Sequence, residues 1–417
     1  NEKIRRLSLC IDLALGRPAS ETASATTSET VSETVSQAPR ILDLIPSYNE
    51  LMVQFDPKEQ DARALKRWLQ HLLGQTETIS LPEAREWEIP MVYGGEYGPD
   101  LQEVARHSRL SEKEVIALHS AGVYRVYMLG FLPGFCYLGG LDPRLACPRK
   151  STPRPHIAAG SVGIAGQQTG IYPLDSPGGW QIIGRSPFRP FDPRRTDPFL
   201  INPGDSLRFV PEKTFRGVSF TADSSGESLE NEKPGVWVEE PGLLSLVQDE
   251  GRYGYQRYGM PVSGAMDLDA YRRANQLLGN TQGEAALEIT LKGPRLRWEI
   301  DTVIALCGAD LGPRINEKRT EMNQALRVKT GDVLHFQGGK GGRTYLAVAQ
   351  GIDVPLVMGS RSCCLPAGIG GYKGRALKKG DRLPLKALTD FPHTDIGFTA
   401  RESRTTPDEP VWLNLIP

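Results

Sequence analysis

The chain has 417 residues, a formal net charge of −1 and 39% apolar residues, long enough for two or three domains each burying its own core. Near-zero net charge excludes a general nucleic-acid or acidic-membrane binder, which needs a basic face, and no segment approaches the roughly 18 uncharged apolar residues of a membrane span. The six cysteines (Cys10, Cys136, Cys147, Cys307, Cys363 and Cys364) show no CxxC or histidine-rich spacing, so no metal site is expected and a cytoplasmic location with reduced thiols is.

Residues 2–15 read as an amphipathic helix closed by Gly16, and Arg5, Arg6 and Asp12 break the apolar run that a signal peptide needs. Pro18–Pro39 is rich in Ser, Thr, Glu and Ala with almost nothing to bury, so a disordered loop insertion (18–39) is expected. Leu51–Phe55 reads as a strand. Ala62–Leu73 places Leu65, Trp68, Leu69 and Leu72 at the spacing of a core-facing helix, and Trp87–Tyr93 returns as a strand. Residues 1–93 are therefore expected to form a small α/β domain. Ser111 and Glu114 stand at capping-box spacing ahead of a helix that carries His119.

From Tyr124 to Val210 short apolar runs alternate with Gly and Pro, which predicts β-structure with many tight turns; residues 94–223 form one β module. Thr221–Pro234 is polar and acidic and reads as a linker (224–234), followed by a second β-rich module over 235–417. Its helix is predicted over Leu268–Leu278, with Asp267 as N-cap and Gly279 as stop; Val303–Cys307, Tyr345–Val348 and Val411–Ile416 read as strands. A Gly-Asp-x-Leu signal recurs at Pro203–Leu207, Thr330–Leu334 and Lys379–Leu383. It reads either as common hairpin chemistry or as a sign that both modules derive from one barrel type. The fold class is α+β, mainly β.

The densest motifs lie between His119 and Trp180: the run Tyr127 to Gly140 (YMLGFLPGFCYLGG), then Pro148-Arg-Lys-Ser-Thr-Pro-Arg154, Ala159-Gly-Ser161, Gln168-Thr-Gly-Ile-Tyr-Pro173 and Ser176-Pro-Gly-Gly-Trp180. Over roughly residues 41–223 the chain resembles the B-type subunits of 5-oxoprolinase, a family also known as allophanate hydrolase subunit 1 and including a sporulation-kinase inhibitor. The second module carries Gln248-Asp-x-Gly-Arg252-x-Gly254, Gly259-Met-Pro-Val-Ser-Gly-Ala-Met-Asp267, Ala274-Asn275, Leu287-Glu288, Gly308-Ala-Asp310 and Gly370-Gly-Tyr-Lys-Gly-Arg375, and is similar to the C-type subunits of the same enzyme. That second family continues past the equivalent of Pro417, so the second module is expected to be incomplete at its C-terminus. The resemblance implies a cyclophilin-like β-barrel after the small α/β domain, then a related barrel. It also implies ATP-dependent opening of 5-oxo-L-proline to L-glutamate together with a separate third subunit. A small-molecule substrate is expected, no nucleic acid or membrane, with a homo-oligomer left open.

A lactam is a poor electrophile, so its opening calls for cations, a proton carrier and excluded water. Arg149 and Arg154 flank a Pro-stiffened loop and are candidates to hold a carboxylate or phosphate, or else loop carbonyls. His119 is the candidate proton carrier; the alternative for a histidine on a helix face is a hydrogen-bonded core residue. Tyr127, Phe131, Phe135 and Trp180 are candidate pocket walls. Gly134, Gly178 and Gly179 permit close backbone approach, and Gln168, Tyr172 and Ser176 are candidate donors to substrate. In the second module Asp249, Arg252, Asp267 and Asp310 are the polar residues inside Gly-rich turns, Asp267 doubling as the N-cap.

Neither a G-x-x-x-x-G-K-[ST] phosphate loop nor a Met-Lys-Met biotin-acceptor site occurs in the sequence. ATP is therefore assigned to an unfamiliar geometry or to the partner subunit. Two alternatives stand: a carboxyltransferase-type component of a biotin-dependent urea amidolyase, and a histidine-kinase inhibitor-like binding protein. A Gly-Gly-Ser-Ser amidase nucleophile region is not found, which leaves a self-contained allophanate hydrolase without support.

Overall fold

A computed structural model describes residues 2–16, 39–57, 59–215, 234–339 and 341–386. Residues 18–38, 221–233 and 411–416, on which the insertion, most of the linker and the last strand are expected, lie outside them. The N-terminal unit consists of helix α1 (Glu2–Ala14), the antiparallel hairpin β1 (Ile41–Pro46) and β2 (Leu51–Phe55), and helix α2 (Ala62–Gln75). Asp61 caps α2 by accepting from the Ala64 N–H at 2.7 Å. Cys10, Ile11 and Ala14 of α1 bury against Ile41, Leu44, Leu65 and Leu72.

Strand β3 (Glu86–Tyr93), expected to close this unit, does not belong to it. It pairs in parallel with β11 (Ser206–Pro211), from Ser206↔Glu86 to Pro211↔Met91, and antiparallel with β10 (Gln181–Arg185). Alternation of Trp87, Ile89, Met91 and Tyr93 declares that one face is buried, but not which neighbours bury it. The intervening elements are helices α3 (Leu101–Ser108) and α4 (Glu112–Ala121), β4 (Tyr124–Leu129), β5 (Cys136–Gly139), β6 (Arg154–Ile157), β7 (Ser161–Ala165), β8 (Gln168–Ile171) and β9 (Ser176–Gly178). Seven strands close a barrel in the order β10-β3-β11-β4-β5-β8-β7, filled by Ile89, Met91, Val126, Leu138, Val162, Ile164, Ile183 and Phe209. The expected capping box forms at α4: Ser111 Oγ accepts from Glu114 N–H at 3.3 Å and Glu114 Oε2 from Ser111 N–H at 2.7 Å. A second apolar layer, Phe135, Ile157, Tyr172, Trp180 and Ile182, lies outside the barrel beneath the β6–β9 pair.

The second module comprises β12 (Gly235–Glu240), β13 (Leu244–Gln248), helix α5 (Leu268–Gln276), β14 (Ala286–Thr290), β15 (Arg295–Trp298), β16 (Thr302–Gly308), β17 (Pro313–Ile315), β18 (Lys318–Arg319), β19 (Ala325–Val328), β20 (Val333–Phe336), β21 (Arg343–Val348) and β22 (Arg382–Pro384). Where a related barrel is expected, these strands form two sheets, β18-β17-β20-β15-β12-β22 and β13-β14-β21-β16-β19. Val236, Val238, Leu296, Trp298 and Leu334 of the first share one core with Val247, Leu287, Ile304 and Leu346 of the second. The second sheet is buried on its other face too, where Ala270, Tyr271 and Ala274 of α5 pack on Val303, Ala305, Cys307 and Tyr345. Burial on both faces explains why β16 reads as an unbroken apolar run.

The three Gly-Asp signals adopt one geometry. Gly204, Gly331 and Gly380 have φ of +100°, +91° and +87°. Each glycine N–H donates to the carbonyl of a strand residue (Val126, Trp298 and Val238), and that residue's N–H donates back to the following aspartate's carbonyl. The Asp205, Asp332 and Asp381 carboxylates each accept from the N–H three residues upstream, at 3.0, 2.8 and 2.6 Å. Shared detail of this depth, in both modules, is more than a hairpin of matching length requires.

Candidate functional site

The first-module motifs converge on the outer face of the barrel. Phe135 contacts Tyr137, Tyr172 and Trp180 with ring centroids 4.9, 5.2 and 5.3 Å apart, all edge-to-face. Phe131 extends this wall, 5.6 Å from Phe135, yet is 59% exposed and holds φ of +68°. That conformation strains a bulky residue, so the Gly130–Phe135 loop is held by its surroundings. Gly178 lies against the Tyr172 hydroxyl, where a Cβ would stand 2.5 Å away, and Gly179 accepts from Lys150 N–H at 2.7 Å. Tyr127 packs on Tyr48 (5.5 Å), whose hydroxyl accepts from Gln168 Nε2. Burial pushes the Tyr48 and Tyr172 hydroxyls up to about 12, so both are neutral hydrogen-bonding groups. Ser176 is buried on β9, and among the described residues its Oγ has no hydrogen-bond partner.

The three residues expected to carry charge or protons separate. Arg149 is exposed and makes no hydrogen bond or ion pair among the described residues; its charge sits near Tyr137 and Tyr172. Arg154 instead commits its fork to Asp100, at 2.7 and 2.6 Å, and Lys150 adds a third contact at 3.1 Å. Burial favours the neutral form of Asp100, but Arg154, the Ile182 N–H and Lys150 outweigh it and hold the carboxyl below its usual range. Arg154, a candidate to hold an anion, is thus placed as the partner of a buried carboxylate.

His119, the candidate proton carrier, lies in the core. It is wholly buried, stacked on Phe209 at 4.7 Å, with Nδ1 2.7 Å from the Tyr93 hydroxyl and Nε2 3.0 Å from Thr169 Oγ1. Thr169 gives its hydroxyl proton to the Gly163 carbonyl, so it accepts from Nε2–H and Nδ1 accepts from Tyr93. Burial pushes the imidazole down to about 3. A neutral ring with both nitrogens used has no proton to offer a ligand.

In the second module Asp249 and Arg252 share one loop system. Asp249, 5% exposed, accepts from Ser360 Oγ at 2.7 Å, Gly251 N–H at 2.9 Å and Ser362 Oγ. Arg252, 1% exposed, donates to the carbonyls of Val357 (2.8 Å), Ser362 (3.0 Å) and Ser360 (3.4 Å). The loop 357–364 that these residues shape escapes sequence reasoning, because Ser and Cys in a turn carry no periodic signal. Asp267 is the N-cap of α5, accepting from Ala270 N–H at 3.0 Å, two residues after Ala265, whose N–H donates to the Asp249 carbonyl at 2.9 Å. Asp310 is an exposed turn residue bonded to Gly312 N–H (2.9 Å) and Arg319.

The two modules meet through their motif loops. Gly134 N–H donates to the Tyr258 carbonyl at 2.8 Å, Tyr258 stacks on Phe199 (4.5 Å, 10°), and Gly259 (φ +79°) lies against the Leu132 carbonyl where a Cβ would not fit. Met260, Cys364 and Ile369 pack with Phe191 and Phe199 across this seam. A polar cavity of about 860 Å³ opens beside it, lined by Asp249, Tyr253, Asn275, Arg361 and, from the N-terminal unit, Arg40 and Glu59. Among the described residues no group of three or more His, Cys, Asp or Glu could hold a metal ion, and no helix is long and apolar enough to cross a membrane. The arrangement presents one exposed aromatic side chain, Phe131, and one exposed guanidinium, Arg149, over a buried aromatic layer.

Comparison with known proteins finds a separate family match in each half of the chain. Residues 8–201 match the family described as "Carboxyltransferase domain, subdomain C and D", and residues 258–415 match "Carboxyltransferase domain, subdomain A and B". The first module is similar to the 5-oxoprolinase B subunit of Escherichia coli O157:H7, 50% identical over 176 residues, 42% of this chain and 80% of that protein. The second is similar to the 5-oxoprolinase C subunit of Escherichia coli K12, 46% identical over 145 residues, 34% of this chain. The chain spans about half the length of that relative (47%). The solved structure of TTHA0988 aligns with a TM-score of 0.75 at 37% identity, covering 93% of this chain and 72% of that one.

Proposed function

We propose, from the premise that this chain belongs to the 5-oxoprolinase small-subunit family and joins a B-type and a C-type module in one polypeptide, that it is a component of a 5-oxoprolinase. It binds 5-oxo-L-proline and, with a further subunit and ATP, opens the ring to L-glutamate. The observation that carries the reading is the seam itself: the Gly130–Phe135 loop of the B-type module and the Gly251–Gly259 loop of the C-type module are bonded to one another. Residues separated by more than a hundred positions thus form one surface.

In this reading the exposed Phe131, backed by the buried Phe135 and Tyr172, contacts the ring and Arg149 supplies a guanidinium for its carboxylate. The nucleotide is assigned to the partner. Helices α2 and α5 begin at Asp61 and Asp267, and α4 begins with Glu112 and Glu114. Carboxylates at these N-termini repel a triphosphate where a phosphate loop would attract one. The test is to mix the chain with its third subunit, 5-oxoproline and ATP and follow glutamate and phosphate, which should appear together. Robust turnover by this chain alone overturns the assignment. The carboxyltransferase description of both family matches supports a second reading, carboxyl transfer to or from biotin. Transfer from carboxybiotin to a small amide, without ATP cleavage, would favour it.

A further inference from the structure

We infer that Asp43 and Asp12 of the N-terminal unit are positioning residues that set the Arg252–Gly259 loop and, through it, the loop that presents Phe131. Asp43 is completely buried, although a carboxylate on a hairpin of a small surface unit has no reason of its own to be so. A β-bulge between Ile41 and Asp43 shifts the register of β1, and the carboxylate turns inward beside Leu44. Its Oδ2 accepts two backbone N–H groups of the second module, Gly254 at 2.9 Å and Gln256 at 3.1 Å, while Oδ1 accepts from Leu44 N–H at 2.8 Å.

Helix α1 supplies the second clamp. Asp12, 6% exposed, receives both guanidinium nitrogens of Arg257 at 2.8 and 3.1 Å. Asp43 and Asp12 therefore grip residues 254, 256 and 257, and the next residue passes the constraint on. Tyr258 holds Gly134 N–H, and Gly259 abuts both the Gly130 Cα and the Leu132 carbonyl, so the backbone on both sides of the strained Phe131 is fixed from the second module. At its other end the loop continues into Arg252, whose guanidinium organises residues 357–362. None of these bonds reaches Phe131 or Arg252, so Asp43 and Asp12 act through the loop, separately from the direct packing of Tyr48 on Tyr127 and Tyr137. This inference rests on the proposed function only in taking the seam as the site.

The test uses the full chain with Asp43→Asn, Asp12→Asn and Asp12→Glu, read by hydrogen exchange of segments covering 252–259 and 130–135. Asn matches Asp in size but loses the charge-assisted bonds. Exchange in both segments should rise at least about tenfold in each Asn variant, with barrel strands β7 and β10 unchanged, and Asp12→Glu should recover most of the protection. Unchanged exchange at 252–259 overturns the inference, as does a uniform rise across the whole first module. If Asp43→Asn fails to fold, the Asp12 pair still decides. In the reconstituted complex the folded fraction of the Asn variants should lose kcat/KM by at least about tenfold, and Asp12→Glu should recover most of it. An inactive wild-type complex would refute the functional reading, and the exchange result would stand apart from it.

Discussion

Acidification of the wild type and of His119→Gln provides a sharp test of where the barrel's histidine belongs. His119 is wholly buried and burial pushes its pKa down to about 3, whereas in the unfolded chain it titrates near 6.5. Above pH about 6.5 both states are neutral there and the residue contributes no pH dependence. Below it the unfolded chain takes up a proton that the native core refuses, so stability falls as pH falls. The slope is about 1.4 kcal/mol per pH unit, continuing towards pH 3, which amounts to about 2 kcal/mol between pH 6.5 and 5. Glutamine cannot titrate, and it retains a hydrogen bond to Tyr93 or Thr169 while losing the stack on Phe209. At pH 7 the variant should therefore be less stable by about 1–3 kcal/mol, and the gap to wild type should narrow by about 2 kcal/mol at pH 5. Urea denaturation at pH 5, 6 and 7 measures both. Parallel loss of stability in the two proteins would refute the buried neutral assignment. So would a limb of the pH–rate profile, in the reconstituted complex, that His119→Gln abolishes.

Three other variants test the remaining assignments. Arg154→Ala should cost about 3 kcal/mol, because Asp100 is 5% exposed at its side chain and keeps only Lys150 and a backbone donor, with Arg154→Lys intermediate; thermal melts and turnover of the folded fraction check this. Because Asp100 is held below its usual range, that pair's contribution should be complete above pH about 4 and vanish as pH falls further, so the wild-type and Arg154→Ala melting curves should converge in acid. Arg149→Ala should melt like wild type yet raise KM for 5-oxoproline about tenfold, equivalent to about 1.4 kcal/mol; an unchanged KM removes Arg149 from the substrate. Gly259→Ala should destabilise by about 2 kcal/mol or more, since its φ of +79° and the Leu132 carbonyl both exclude a Cβ, and differential scanning of the variant decides it.

Local rules carried the elements that local physics governs. The α4 capping box, the Asp267 cap and the three Gly-Asp turns depend on residues within a few positions of one another, so spacing alone announces them. Helix faces such as Leu65 and Leu72 were legible for the same reason, because amphipathic periodicity is written along one segment. The motif clusters marked the loops that meet at the seam, Gly130–Phe135 in one module and Gly251–Gly259 in the other.

What pairs with what was decided only by the tertiary structure. Trp87–Tyr93 alternates correctly for a half-buried strand, yet its neighbours come from residues 181–185 and 206–211, so the domain boundary could not be read from it. Arg154 and Arg149 look alike in a Pro-rich loop; a buried Asp100 some fifty residues upstream claims one and leaves the other in solvent. His119 follows the same logic, since its role depends on Tyr93, Thr169 and Phe209 arriving from three separate strands. Asp43 and Asp12 carried no motif at all, because their partners lie 211 to 245 residues away and hydrogen bonds of that range leave no local pattern. Charge and hydrogen-bonding capacity are properties of residues, but burial, which determines whether a charge binds a ligand or another side chain, is a property of the folded chain.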